Sequence, residues 1–295
     1  MGSASPSSHV LSRVTSADGQ HWTKRTAVTS KFTRFRSPVG AIALPAALND
    51  PFVQPPAPHA LCIAAARQLQ RHLLKHEERH RFGLDGAGGG VAGKPVGKPV
   101  GKPVGKMFGV LVVARPGGEC GFLSAFSGKL AGGNHHAHFV PPVFDTLAAG
   151  GFLNAGMDEL AVLGGQVREL EGLSSRAQQA PPAGTARAVA ALRQRRKAHS
   201  KKLLRQLFES YVFLNSQGQS RAACELFDDP PAGAGECAAP KLLQYAYQNS
   251  LRPLCMSEFW WGNPPSSSGS TVRVHGKNYP ACEEKCRAIL AWMLS

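Results

Sequence analysis

Residues 236–262 read ECAAPKLLQYAYQNSLRPLCMSEFWWG, and residues 279–295 read YPACEEKCRAILAWMLS. The first stretch follows the turn-rich DDPPAGAG at 228–235, so ECAAPKLLQYAYQNS opens as a helix on a Gly-rich turn and LRPLCMSEFWWG continues as a strand. NPPSSSGSTVRVHGKNYP is then a loop, and ACEEKCRAILAWMLS a final helix. Upstream, the apolar run MFGVLVV from Met107, the turn-rich ARPGGECG and the segment GFLSAFSG predict a β-hairpin turning near Pro116 to Gly118. From Met107 the order is thus β-β, a helical hairpin, then α-β-α, which predicts an α+β module over 107–295.

The inserted hairpin spans about 152–214. From Phe152 to about Glu171, the residues Met157, Leu160, Leu163, Val167 and Leu170 share a helical face. QQAPPAGT breaks this helix from a second, about 186–214, and together they read as an αα-hairpin or short antiparallel coiled coil. The second helix carries Arg187, Arg193, Arg195, Arg196, Lys197, Lys201, Lys202 and Arg205, with no acid between Glu171 and Glu209. A charge run is ordinarily a solvated face, but this one exceeds what solubility requires. Arg193, Arg195, Arg196, Lys197, Lys201, Lys202 and Arg205 are therefore the candidate contacts for RNA.

The 295-residue chain has a formal net charge of +15. That charge is concentrated outside the α+β module's sheet-forming segments, in the basic helix and in residues 1–106. Residues 1–50 combine many Ser, Thr and Ala with Arg13, Lys24, Arg25, Lys31, Arg34 and Arg36. They read as a disordered tail with the composition of an organelle transit peptide, for chloroplast or mitochondrion; without such an address the chain would be cytoplasmic. Residues 51–82 form a helical segment on which His72, His76 and His80 recur among Arg71, Lys75, Arg79 and Arg81, a solvated basic face. Residues 83–106, with their GKPV repeats, are an expanded low-complexity linker, since Pro every fourth residue removes backbone donors. No apolar run is long enough to cross a membrane. His135, His136 and His138 are assigned to a polar loop, and Lys129 and Asn134 stand near the end of the β-hairpin. Alternation along the strand predicts one of Trp260 and Trp261 in the core and the other at a surface.

Cys62, Cys120, Cys224, Cys237, Cys255, Cys282 and Cys286 are odd in number, in a chain without a secretory signal, and point to reduced thiols or a metal site. Cys282 and Cys286 lie one helical turn apart at a helix start, where the terminus stabilises thiolate. Cys237, at another predicted helix start, is the natural third zinc ligand.

A hairpin, a helix opening at a Cys, a strand, and a helix opening with Pro and paired cysteines resemble the zinc-dependent nucleobase deaminase fold. The resemblance implies zinc on Cys237, Cys282 and Cys286. The family's proton-carrying Glu stands two residues after the first ligand, where this chain has Ala239; Glu236 is the substitute on the sequence, about 100° around the helix from the cysteine. The pair is also spaced C-x3-C, one residue more than usual.

A second resemblance covers about His59 to Ser295. MFGVLVV, FLSAFSGKLAGGNHH, FVPPVFD, PPAGAGECAAPKLLQYAY, EFWWG and YPACEEKC look like the accessory region that precedes the catalytic domain in a subset of RluA-type pseudouridine synthases. It implies an RNA-binding module for rRNA or tRNA modification. Catalysis would then reside in a separate or downstream domain, because no Arg-Leu-Asp element matches and GLDG around Asp85 lacks both flanks. The alternatives are a zinc-dependent nucleobase deaminase-like enzyme and a truncation without function.

Overall fold

A computed structural model describes residues 30–53, 57–76, 105–176, 183–265 and 272–295. Its centre is β2 (Lys106–Ala114), an almost unbroken apolar run, as expected of a strand covered on both faces. The strand pairs antiparallel with β3 (Cys120–Phe126), with Val110 opposite Ser124, and on its other edge with β6 (Arg252–Trp261), with Gly109 opposite Glu258. The two-residue strands β1 (Thr33–Arg34) and β7 (Asn278–Tyr279) complete an antiparallel sheet of order β1-β3-β2-β6-β7.

Helix α1 (Ala60–Lys75) covers one face, where Leu61, Ala65, Leu69 and Leu73 meet Phe108, Val110, Val112, Phe122 and Phe259. The opposite face carries Leu111, Val113, Leu123, Ala125 and Met256. They are buried beneath α5 (Ala238–Gln248) and α6 (Glu283–Met293) through Leu242, Leu243, Ile289 and Leu290. Strand alternation sends the two sets of side chains to opposite faces, so one sheet supports two cores. Helix α5 approaches the sheet most closely at Gly109: a Cβ there would stand 2.9 Å from Ala238 Cβ and 3.0 Å from Leu242 Cδ1. Glycine at that position seats the start of α5 directly over β2 and beside Glu258.

Between β3 and α5 runs a long excursion. Helices α2 (Phe152–Arg176) and α3 (Ala183–Ser210) pack side by side, and Phe208 and Tyr211 carry the end of the excursion back into the core under α5. The chain continues through β4 (Val212–Leu214), β5 (Ser220–Ala222) and the one-turn α4 (Ala223–Leu226). The sequence pattern carries the second helix to 214; it ends at Ser210, and the next residues form the β4–β5 ladder, in which Phe213 is fully buried.

The α+β prediction holds, and so do the hairpin turn at 116–118, the β6 strand and the final helix. The boundary of the N-terminal tail does not. Composition places residues up to 50 in a disordered tail, yet the compact unit begins at Lys31. Thr33 pairs with Phe122 and Arg34 with Gly121. The Phe32 ring lies where a Cβ on Gly121 would be, and Leu48 and Phe52 pack against the core. A few apolar side chains and a two-residue pairing carry this docking, and neither alters a Ser- and Arg-rich composition. Helix α1, set apart by the composition of 51–82, likewise belongs to the main body. Residues 1–29 and 77–104, which include most of the transit and linker readings and His80, lie outside the described residues. Both tryptophans are buried, Trp260 with its Nε1 donating to the carbonyls of Gly262 and Asn263 and Trp261 in the core under α1, so neither offers a face for base stacking. No helix of the described residues is long and apolar enough to cross a membrane.

Candidate metal centre and basic groove

Two helix starts converge on one side of the sheet. Cys237 is the N-cap of α5 and Cys282 the N-cap of α6. Cys286, one turn along α6, is buried. The three thiols that the sequence groups are in mutual hydrogen-bonding contact. The bonds from Cys237 and Cys286, followed by the backbone N–H and ammonium of Lys285, hold Cys282 far below the ordinary thiol range despite its burial. Cys286 is pushed up by its own hydrogen bonds to Cys237 and Cys282 and by desolvation; Cys237 is pushed up chiefly by its bond to Cys282. The three thiols stand together at the starts of two helices, whose positive ends favour thiolate. Such a donor set suits zinc in kind. Among the described residues, however, no three His, Cys, Asp or Glu side chains form a ready-made cage around a common point.

Two acids stand by this cluster, and only one is anticipated by the sequence. The Glu236 carboxylate accepts a hydrogen bond from Tyr211 Oη and lies 3.4 Å from Lys241 Nζ. Lys241, 3% exposed, also donates to the carbonyls of Phe126 and Gly128 at the end of β3. Glu236 is therefore committed to a brace between the hairpin end, α5 and Tyr211, and that engagement weighs against it as a proton carrier. Glu258 projects from β6 under the start of α5, and its Oε1 accepts the backbone N–H of Ala239 at 2.9 Å. Burial raises its pKa to about 7, a push only partly offset by the Ala239 hydrogen bond and reinforced by the Cys282 charge. The resemblance leaves the family's acid vacant at Ala239, and the structure brings a carboxylate to that residue's amide from the neighbouring strand. A charged residue inside the apolar run LCMSEFWW is the available signal, since a strand covered on both faces has no solvent side for it.

Across the molecule, the cationic helix α3 faces α2. Arg193 pairs with Glu171, Arg195 with Glu159 and Arg205 with Glu209. The reading of uncompensated charge is thus corrected for three of the seven candidate RNA contacts: two of the acids come from α2, across the hairpin, where a count along α3 misses them. Among the described residues Arg196, Lys197, Lys201 and Lys202 make no ion pair, nor does Arg168 of α2. Arg168, Arg193, Arg196, Lys197 and Lys201 line a cleft of about 490 Å³ over Gly164. The sequence conceals Arg168 because it stands beside acids in α2; only packing of the two helices places it with Arg196.

No family model matches this chain, and no curated protein or solved structure matches it either. Asn134 is buried, and its Nδ2 donates to Asp145 and Thr146, which gives it a structural part in the 130–147 loop; Lys129 is exposed.

Proposed function

We propose that the chain is an RNA-binding module, of the kind that accompanies RluA-type pseudouridine synthases, which grips rRNA or tRNA through the cleft between α2 and α3. The supporting observation is the cleft's composition: five cations line it, and four of them have no carboxylate partner among the described residues. A polyphosphate backbone supplies the missing anions, whereas a merely solvated face would hold its cations apart. On this reading the chemistry of modification belongs to another domain or chain, and the first residues direct the protein to an organelle.

The test is anisotropy of single-stranded and tRNA-derived RNA across a salt series. Replacing Arg168, Arg196, Lys197 and Lys201 together by Ala should flatten the log–log salt slope by up to about 3, at roughly 0.7 for each phosphate no longer neutralised. Affinity at low salt should fall by two orders of magnitude or more. Equal affinity and equal slope for the two proteins would sink the proposal.

A second reading rests on the thiol cluster and Glu258: a zinc-dependent, deaminase-like site. Cys237, Cys282 and Cys286 would hold the metal, which would supply Lewis acidity to a water. Glu258, with a pKa near neutrality, would carry the proton between water and leaving ammonia. Protein purified with zinc should hold one equivalent, lost in Cys282→Ser and in Cys237→Ser, by elemental analysis. Folded wild-type protein that takes up no zinc would remove this reading and leave the RNA proposal standing.

A further inference from the structure

The structure brings together histidines that the sequence keeps more than 60 residues apart. His138, from the loop after β3, stacks on His72 of α1 with ring centroids 4.0 Å apart and planes 16° apart, and His76 lies 4.5 Å beyond His72. The sequence alone puts His72 and His76 on a solvated face and His138 in a polar loop; packing makes His72 and His138 one wall of a pocket, with His76 behind His72. Thr33, Arg34, Arg36, Gln68, Arg71 and Lys75 form the rest, around a cavity of about 180 Å³.

The pocket is built rather than incidental. Gln68 is buried, and both ends of its amide are used: Nε2 donates to the Arg34 carbonyl and Oε1 accepts from the Arg36 N–H, each at 3.0 Å. This pins the β1 segment, with its two arginines, against α1. From the other side Lys31 Nζ donates to the carbonyls of His136 and Ala137, fixing the loop that presents His138. Glu119, the partner of Arg34, is also held by Arg115. Among the described residues no carboxylate lines the pocket. Beside the Phe139 ring, the titratable and charged groups around His138 are Lys31 and Arg36, before and after β1, and His72, His76, Arg71 and Lys75 on α1. Most telling, His138 Nε2 is shielded from solvent and has no hydrogen-bond partner among the described residues.

Stacked imidazoles do not converge their nitrogens on one point, and the four flanking cations repel a metal ion; the same arrangement attracts an anion. We propose that this pocket binds a phosphate group, with His138 Nε2–H, Arg36 and Arg71 as donors and Lys75 at the mouth. A tetrahedral, multiply charged anion has enough acceptors for all four, and its binding would favour protonation of the imidazoles around it. The site is separate from both the thiol cluster and the α2–α3 cleft.

The test uses the full-length protein. Calorimetry with inorganic pyrophosphate should give saturable, one-to-one binding, and the ring proton resonances of His72, His76 and His138 should move together. Arg36→Ala/Arg71→Ala, with both side chains at the surface, should weaken binding at least tenfold at unchanged melting temperature. The four-residue cleft variant should bind pyrophosphate as wild type does. Sulfate, which does not titrate between pH 6 and 8, should bind at least tenfold more tightly at pH 6. A 5′-phosphorylated trinucleotide that binds tenfold better than its 5′-hydroxyl form would identify a nucleic-acid end as the source. Tight pyrophosphate binding without that difference would identify a free diphosphate. Absence of saturable binding, or binding that survives Arg36→Ala/Arg71→Ala, overturns the proposal.

Discussion

Lys241→Met should destabilise the protein by about 3–5 kcal/mol, the usual result of removing one member of a buried ion pair. The methionine fills the volume but leaves Glu236 without its cation and the carbonyls of Phe126 and Gly128 without the Nζ donor. Lys241 resists this environment already: burial lowers its pKa, and the Glu236 charge and hydrogen bond pull it back up. A urea titration of Lys241→Met, Glu236→Gln and the double variant separates the two contributions. Because the residues share one network, the double variant should be more stable than the sum of the single losses predicts. A loss below 1 kcal/mol for Lys241→Met would show that water reaches the β3 end freely and that the brace is decorative.

Glu258 should make stability fall as pH rises, opposite to the ordinary behaviour of a paired carboxylate. In the unfolded chain its pKa is near the reference value of 4.5, and in the fold it is raised to about 7. The native state therefore binds the proton more tightly than the unfolded state. The associated stability is fully present below pH 4.5 and is lost between 4.5 and 7. At about 1.4 kcal/mol per pH unit the loss reaches roughly 3 kcal/mol. Glu258→Gln keeps an acceptor for the Ala239 N–H and cannot ionise, so it should be the more stable protein at pH 8 and show little advantage at pH 4.5. Chelator-treated protein, unfolded with urea at four pH values, provides the measurement. Parallel curves for wild type and variant would mean that Glu258 ionises as freely in the fold as outside it.

Much of the architecture is legible in the sequence because its signals are local. The Pro-Gly-Gly turn, the continuous apolar strand of 107–113 and the two Cys-bearing helix starts each declare themselves within a dozen residues. Convergence of Cys237, Cys282 and Cys286 is legible too, since two helices after a shared hairpin tend to pack on one face. What escapes is nonlocal or brief. Strand β1 is two residues whose partner lies about 90 positions away, and β4 and β5 are three residues each, too short for alternation to show. The pairing of Arg193 and Arg195 with acids of α2 depends on how two helices align, and the stack of His72 on His138 depends on a loop folding over α1. Glu258 escapes for a different reason: its residue type is visible, but only the cover on both faces of β6 shows that it is buried.

The α2–α3 hairpin also bears on how this protein can change. It leaves the body after β3 and returns through Phe208 and Tyr211, while β2 pairs with β6 nearly 150 residues later without relying on the hairpin's tip. A connection of this kind can be lengthened at a small entropic penalty, about 0.6 kcal/mol for each doubling of its length. Insertions, deletions or a transplanted hairpin between Phe152 and Leu203 should thus leave the sheet and its thiol cluster intact. Its reach and charge can then diverge between lineages, or be chosen by an engineer, while the sheet that anchors them stays the same.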